Sequence, residues 1–319
     1  MFEEQDLLST LNEQDDLNVK ANVKLCEITY WKIGGIAKIV VEPQSLDALV
    51  KVIKLVNTFP EIPYLVIGDS SNLLFSDDGF NGLIIKIGNG LSELEFNKNK
   101  IFCGAGLWVP ELAYQSYRKG LSGIEHICGI PGRLGGLIYM NGGSNRHSIS
   151  ENIENITLVT PSGEVKTINA SSLAFEYRQS PFQESKDIIL AATLKLKYGD
   201  RNEIRNTIRK TLASRRNKFP RKLPNCGSVF VSNPTMYEKI GPPGYAIEKV
   251  GLKGFRLGDA QISPLHANFI VNLGDAKAKD VLKLIQIARK KVFDDTNFLM
   301  DCEVRFVSSN GHVCMAHEI

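Results

Sequence analysis

The sequence has no C-x-x-C pair and no cysteine–histidine spacing of the kind that holds zinc. Its six cysteines, Cys26, Cys103, Cys128, Cys226, Cys302 and Cys314, are scattered over 319 residues. That argues against a structural metal and a disulfide framework, and points to a reducing compartment. Long apolar runs are also missing: none approaches the roughly 20 residues needed to cross a bilayer. The opening stretch MFEEQDLLSTLNEQDD is acidic where a secretion signal is basic. The expectation is a cytoplasmic protein with no membrane partner. A formal net charge of +3 is too small to argue for nucleic acid, and the basic segments lack the interleaved aromatics on which bases stack. Neither G-x-G-x-x-G nor G-x-x-x-x-G-K-[ST] occurs, which leaves the Rossmann and P-loop readings without support. Internal repeats and low-complexity segments are absent as well.

What is present is a globular composition, 43% hydrophobic and 23% charged, with length for two or three domains. Residues 1–24 read as an acidic extension with a short helix around Leu7 to Leu11. From residue 36, IAKIVVE reads as a strand. SLDALVKVIKLVN then carries Leu46, Leu49, Val50, Ile53 and Val56 at helical spacing, behind Ser45 as N-cap. YLVIG (64–68) and LIIKI (83–87) return to strand, giving a first lobe of β-α-β-β order. A second lobe follows, with a strand at KIFCGAG, a helix at PELAYQSYRKG, a glycine-rich passage from Gly129 to Gly143, a hairpin at NITLVTPSGEVKTI and a strand at IILAATLKLKY; antiparallel pairing is expected there. After a break near Gly199–Asp200 come a basic helix at EIRNTIRKTLASRR, the strand NFIVNLG, the helix AKDVLKLIQIARKKVF and a final strand, CEVRFV. The fold class is α+β. Its linear division is an extension at 1–24, a first domain at 25–199 with lobes at about 25–90 and 91–199, a further α+β domain at 200–308 and a tail at 309–319.

Several segments carry chemistry-bearing residues. GIPGRLGG (129–136) and NGGS (141–144) hold six glycines and a proline in sixteen residues. Glycines allow positive φ and close backbone approach, and successive N–H groups in such turns form an anion-binding nest suited to a pyrophosphate. A plain tight-turn region remains the alternative. GDSSN (68–72) is a second such loop and shifts the balance toward a dinucleotide. Arg178 in FEYRQSPFQ is either solvated or a fork for a carboxylate or enolate. Arg215, Arg216 and Lys222 lie nearer the segment PNCGSVFVSNP (224–234) than Arg201, Arg205 and Arg209, and are better placed to meet phosphates. In that segment Ser228 is either one more hydroxyl at a strand entrance or a proton donor. Glu303 reads as the start of a strand, either exposed or paired with Arg305 across the pleat, and gains a functional reading only if that strand end faces Ser228 and Arg178. His266, beside a strand, reads as a structural residue; His126, His147, His312 and His317 show no pairing. Cys226 reads as a packing residue.

Taken in order, KIGG (32–35), SNLLFSDDGF (71–80), GLSGIEHICGIPG (120–132), YRQS (177–180), CGSVF (226–230), GLKGFRLGDAQIS (251–263), HANFIVN (266–272) and EVR (303–305) resemble the UDP-N-acetylenolpyruvoylglucosamine reductase (MurB) family over about residues 25–308. No insertion between IPGRLGG and YRQS supplies a tyrosine-bearing substrate loop, so the resemblance is to the shorter, second type. It implies a two-lobed FAD-binding domain of PCMH type followed by a substrate-binding domain. It also implies non-covalent FAD, NADPH as hydride donor and a UDP-linked amino sugar as substrate; a monomer is expected, although the sequence itself is silent on oligomeric state. The implied reaction reduces enolpyruvyl-UDP-N-acetylglucosamine to UDP-N-acetylmuramate in peptidoglycan precursor synthesis.

Carried over by position, the resemblance implies that Ser228 protonates the carbon beside the carboxylate while Arg178 and Glu303 assist the enolate-like intermediate. FAD falls to Ile33, Gly34 and Gly35, to Gly68, Asp69, Ser70, Ser71 and Asn72, to Gly129, Ile130, Pro131, Gly132, Arg133, Gly135 and Gly136, and to Asn141 and Gly142. Substrate falls to Tyr177, Arg215, Lys222, Asn233, Gln261, His266 and Asn268. The chain departs from the family pattern at Ser70, which replaces a glycine of G-x-G-S-N, at Arg133 where serine is common, and at NGGSNR where Asn-Ala-Gly-Ala is expected. Val231 stands where a basic residue often follows the phenylalanine, and Trp31 where a smaller residue usually precedes KIGG. Two other readings stand beside the reductase: a paralogue performing the same flavin chemistry on a related nucleotide sugar for surface polysaccharide, and a flavin- or nucleotide-sugar-binding protein without turnover.

Overall fold

The computed structural model describes residues 2–232 and 234–319. Helices and strands are mixed as the α+β reading expects. The chain forms two compact units, each pieced together from separated stretches. The first comprises residues up to Ala21 with Ile39–Asp69 and Leu83–Arg215; the second comprises Asn22–Lys38, Ser70–Gly82 and Arg216–Ile319.

In the first unit, strands Leu17–Lys24, Ile36–Pro43, Phe80–Lys86 and Tyr64–Ile67 lie side by side in that order, with most of their residues in this unit. Tyr64–Ile67 runs parallel to Phe80–Lys86, with Tyr64 opposite Leu83. A parallel pair needs a crossover, but part of the connection is strand Leu73–Phe75, which the sequence reading missed. Helix Leu46–Val56 packs Leu49, Val52, Ile53 and Val56 into the core, and the Ser45 hydroxyl accepts the Ala48 N–H as N-cap. The acidic opening of the chain, read as an extension, contains a helix, Phe2–Asn12, whose Leu7 and Leu11 are wholly buried in the same core. The short helix expected around Leu7 to Leu11 is thus present, and its i, i+4 leucine pair seats one helix face in the core instead of leaving a free extension.

A second sheet has the order Val165–Asn169, Ile153–Val159, Ile188–Lys195, Lys100–Gly104, Leu94–Asn97, antiparallel throughout as expected. The glycine-rich passage contains an unanticipated helix, Leu134–Tyr139, with Leu134, Leu137 and Ile138 buried. Helix Arg201–Lys218 buries Ile204 and Thr211, and Ile208 and Leu212 pack partly buried against the core.

The second unit has its own core around Trp31, Leu74, Phe230, Ile247, Ile270 and Leu284. Strands Arg256–Leu257, Ala260–Ile262 and Ile270–Asn272 form one antiparallel sheet. In another, Arg305–Val307 lies between Val313–Met315, antiparallel, and Leu73–Phe75, parallel. Helix Ala278–Thr296 buries Val281, Leu284, Ile285, Ala288 and Val292, and the Asp77 carboxylate accepts the Ala278 and Lys279 N–H groups at its start. Two sequence readings change here. Residues 309–319, read as a tail, form strand Val313–Met315, and the Ala316 N–H donates to the Val304 carbonyl. Glu303, read as the start of a strand, precedes strand Arg305–Val307 and sits in a bend.

Candidate active site

The turn that carries Ser228 is shaped by Asn225. Its carboxamide donates to the Pro220 and Leu223 carbonyls, and its Oδ1 accepts the Gly227 N–H at 3.0 Å. This is an Asx turn, and Gly227 takes the left-handed φ of +81° that the turn needs. Beyond Ser228 the chain is gripped from two sides. Val229 N–H donates to the Asn268 carbonyl at 2.9 Å, while the buried Asn268 carboxamide takes both polar groups of Phe230: Oδ1 accepts its N–H at 2.9 Å and Nδ2 donates to its carbonyl at 3.0 Å. On the other side Glu303 N–H donates to the Val229 carbonyl at 2.8 Å, and Val231 N–H to the Asp301 carbonyl at 2.9 Å. Ser228 and Glu303 are therefore brought onto adjacent segments of the second unit.

The Glu303 segment is held in turn by Arg289, whose Nε donates to the Met300 carbonyl, and by His317, whose Nδ1 accepts the Cys302 N–H at 3.0 Å. Cys226 is buried, and its thiol is pushed well up by burial, with the Glu303 carboxylate and Cys302 adding to the effect. A thiol held protonated in this way is no nucleophile, and the Ser228 side chain is half-buried.

Arg178 lies in the first unit. It occupies a tight turn in which Glu176 and Gln179 exchange backbone hydrogen bonds, with φ at +61°, a left-handed value uncommon for a side chain this large. Asn141 Nδ2 donates to the Glu176 carbonyl at 2.7 Å, and Gln183 Nε2 to the Arg178 and Tyr139 carbonyls, each at 2.9 Å. The guanidinium donates from Nη2 to the Gly143 carbonyl at 3.3 Å and lies 4.9 Å over the exposed Tyr177 ring. Asn141, expected at the cofactor, thus holds the turn that carries Arg178. Gln183, Asn225, Arg289 and His317 were missed as supporting residues. Only Asn225 has a local signal, a side-chain acceptor two residues before a glycine.

The glycine loops divide by what a side chain would strike. A Cβ on Gly34 would stand 2.8 Å from Phe75 Cβ, and one on Gly35 would strike the Asp77 carbonyl, so backbone packing requires both. Arg215 covers Gly129, where a Cβ would stand 2.5 Å from its Cδ, and Gly142 and Gly135 pack against Leu137 and Ala105. Gly68 lies under Arg133. The Arg133 Nε donates to Asp69 Oδ1 at 2.9 Å and its Nη1 to Asn89 Oδ1 and the Gly106 carbonyl at 2.7 and 2.8 Å. The departure at Arg133 is thereby accounted for: the side chain fastens the Gly68–Asp69 loop. Gly132, at φ +128°, accepts the Val109 N–H on its carbonyl. Two positions differ. Gly136 is exposed in helix Leu134–Tyr139 with nothing within 4 Å of a Cβ, and Ser70, at φ +56°, has a buried hydroxyl with no protein partner.

The other expected positions have varied local surroundings. The Ile33 side chain belongs to the second core; Ile130 packs partly buried against the first; Ser71 and Pro131 are half-buried; Lys222 is exposed in a turn. Gln261 Nε2 donates to the Gly254 carbonyl. His266 Nδ1 accepts the Asn268 N–H at 3.3 Å. Burial first, then Lys253, holds its pKa below the usual histidine value, so the ring is neutral with its proton on Nε2. Asn233 lies outside the described residues. Three of the histidines read as unpaired are engaged: His147 Nδ1 lies 2.8 Å from Glu151, the His126 and His147 ring centroids are 5.6 Å apart, and His317 Nδ1 accepts the Cys302 N–H. Among the described residues no cluster of His, Cys, Asp and Glu could hold a metal, and no helix is long and apolar enough to cross a membrane.

Family models match in two places: the FAD binding domain over residues 37–169, and the C-terminal domain of UDP-N-acetylenolpyruvoylglucosamine reductase over residues 219–307. The chain is 42% identical over 315 residues to UDP-N-acetylenolpyruvoylglucosamine reductase 1 of Corynebacterium glutamicum, a match covering 99% of this chain and 94% of that protein. This chain belongs to the UDP-N-acetylenolpyruvoylglucosamine reductase family. The Bacillus subtilis reductase is 36% identical over 305 residues, covering 95% of this chain and 99% of that one. The crystal structure of the Thermus caldophilus reductase superposes with a TM-score of 0.76 at 30% identity, over 91% of this chain and 99% of that one. The fold expected from the family, an FAD-binding domain followed by an α+β domain, stands on these matches.

The residues present fit FAD. Glycine is the poorest helix former after proline, and no protein atom requires it at Gly136, so that position suits close backbone approach by a ligand. The buried Ser70 hydroxyl is a donor awaiting an acceptor. Gly136→Ala should stabilise the flavin-stripped reductase by about 1 kcal/mol and raise the FAD dissociation constant at least about tenfold. Thermal melting of stripped protein and fluorescence titration with FAD measure the two; unchanged FAD affinity would show that the gap at Gly136 is not a ligand surface.

Proposed function

We propose that this reductase converts enolpyruvyl-UDP-N-acetylglucosamine to UDP-N-acetylmuramate in peptidoglycan precursor synthesis, working as a monomer in the cytoplasm with NADPH as reductant. The observation that carries this reading is the pairing of Ser228–Val231 with Asp301–Glu303, which sets a hydroxyl and a carboxylate on neighbouring segments. When bound, FAD would supply hydride chemistry, with NADPH as the source of the reducing equivalents and the methylene carbon of the enolpyruvyl group as the acceptor. Negative charge then develops on the carbon beside the substrate carboxylate and on the carboxylate oxygens. Arg178 stabilises those oxygens; its side chain is planar, permanently charged and braced through Gly143 and Tyr177. Ser228 gives its proton to the carbon. A hydroxyl is a weak acid, but against an enolate it needs chiefly to be well placed, and the Asn225 turn and Asn268 clamp fix the backbone on both sides of it. Glu303 assists the enolate-like intermediate, and the proton lost from Ser228 is replaced from water. The family pattern further assigns Arg215, Lys222, Gln261 and His266 to substrate binding, the cations suiting phosphates.

The bonds Arg133 makes to Asp69, Asn89 and Gly106 remove one motive for a paralogue acting on another nucleotide sugar. The test is anaerobic reduction of the purified protein by NADPH, then addition of enolpyruvyl-UDP-N-acetylglucosamine. The flavin should bleach and then recover its colour as UDP-N-acetylmuramate forms. A protein that reconstitutes with FAD and is reduced, yet is not reoxidised by this compound, excludes the substrate; one that does not take up FAD excludes the flavoenzyme.

A further inference from the structure

We infer that Asn72 is a positioning residue for Glu303, acting through its side-chain amide; the inference rests on the catalytic role proposed for Glu303. The family resemblance assigns Asn72 to the cofactor with the rest of its loop; its side chain also reaches Glu303. Nδ2 donates to the Glu303 carbonyl at 3.0 Å, and the Asn72 carbonyl accepts the Arg305 N–H at 3.2 Å.

The reason lies in how the chain changes neighbours at this point. Up to Glu303 it runs beside the Ser228 segment: Val231 N–H reaches the Asp301 carbonyl, Phe230 bridges Cys302, and Glu303 N–H reaches the Val229 carbonyl at 2.8 Å. From Arg305 onward it runs parallel to Leu73–Phe75, in the register Arg305 to Leu73, Phe306 to Leu74 and Val307 to Phe75. Glu303 is thus the last residue of one pairing, and Asn72 sits one position before the strand that begins the next. The Asn72 amide spans the changeover by reaching back to the Glu303 carbonyl. The N–H of Glu303 is fixed by the residue after Ser228 and its carbonyl by Asn72, so its backbone, and with it the direction in which the carboxylate leaves the chain, is set from both ends.

The chemistry requires a donor of this length. Aspartate, the same shape, offers only acceptors to a carbonyl and adds a charge near Glu303. Alanine leaves the carbonyl without its donor. Asn72 closes the loop that contains the left-handed Ser70 with its buried hydroxyl, and Leu73 N–H donates to the Ser70 carbonyl. The conformation of that loop and the setting of the carboxylate are therefore joined through one side chain.

Two measurements on the full-length, FAD-loaded protein test this. In Asn72→Asp and Asn72→Ala, amide hydrogen exchange at Glu303 and Arg305 should quicken about tenfold or more, while amides of helix Ala278–Thr296 keep their protection. In stopped flow, reoxidation by enolpyruvyl-UDP-N-acetylglucosamine should slow about 10- to 100-fold more than reduction by NADPH does, as a displaced catalytic group predicts. The excess should shrink to less than about threefold when Asn72→Asp is made in a Glu303→Ala background, because a residue acting through another loses its effect once that other is gone. Equal slowing of both half-reactions, an undiminished penalty in the Glu303→Ala background, or unaltered exchange at Glu303 and Arg305 overturns the inference. If the parent protein itself fails to turn over this substrate, the proposed function falls, and the exchange measurement alone decides whether Asn72 holds Glu303.

Discussion

Ser228→Ala should leave NADPH reduction of the flavin within about twofold of the parent and cut formation of UDP-N-acetylmuramate by about 10²- to 10⁴-fold, the range for losing a general acid. The split follows from the chemistry. Reduction of the flavin requires no proton on the substrate carbon, whereas completing the product does. The substitution removes only an oxygen, and the backbone bonds from Val229 to Asn268 and Glu303 do not involve the serine side chain. Folding and flavin content should stay at parent levels, so a lowered rate is a rate per intact site. Equal losses in the two half-reactions, measured separately by anaerobic stopped flow, would falsify the proton-donor role.

Asn268→Ala should strongly destabilise the second unit. It leaves both the N–H and the carbonyl of buried Phe230 without partners. At about 1–3 kcal/mol for each unsatisfied group, the loss is about 2–6 kcal/mol, a large share of the 5–15 kcal/mol typical of a whole domain. Urea unfolding followed by a probe in this unit should show a markedly lower midpoint, and a shift below about 1 kcal/mol would mean that water or a neighbour replaces the amide. Asn268→Asp is a sharper variant. It keeps the acceptor for Phe230 N–H but opposes the Phe230 carbonyl with a carboxylate. Burial raises the pKa of that carboxyl in the folded state above its unfolded value, and the folded state then binds more protons between the two. Its stability should therefore fall as pH rises through that interval and be regained on acidification.

Local pattern carried much of the fold. Ser45 and the apolar spacing from Leu46 to Val56 mark a helix with its cap, and the hairpin around Pro161–Glu164 is legible from its turn residues. Helix Leu134–Tyr139 was concealed because Gly135 and Gly136 argue against helix while Leu134, Leu137 and Ile138 argue for it, and burial of the three apolar residues prevails. The surroundings of Glu303 were legible only in part. Family motifs single out Ser228 and Glu303, but the groups that hold their segments are separated from them in sequence: Asn72 to Glu303, Asn268 to Phe230, His317 to Cys302. No periodicity or spacing reports a hydrogen bond of that kind. The glycines show the same limit. Gly34 and Gly136 look alike in sequence, yet one is closed by Phe75 and Leu25 and the other faces open space.

The second unit is also a problem in timing. Its early pieces, Asn22–Lys38 and Ser70–Gly82, are translated long before the stretch from Arg216 that completes it, and the bond from Asn72 to Glu303 closes a span of 231 residues. Loop closure of that kind is slow and must be completed before the contacts it brings can repay its entropy. On the ribosome Trp31, Ile33 and Leu74, all destined for the interior, wait for partners made last. The yield of active protein should accordingly respond to growth temperature and to chaperones that shield nascent apolar segments, even where a substitution leaves the finished fold no less stable.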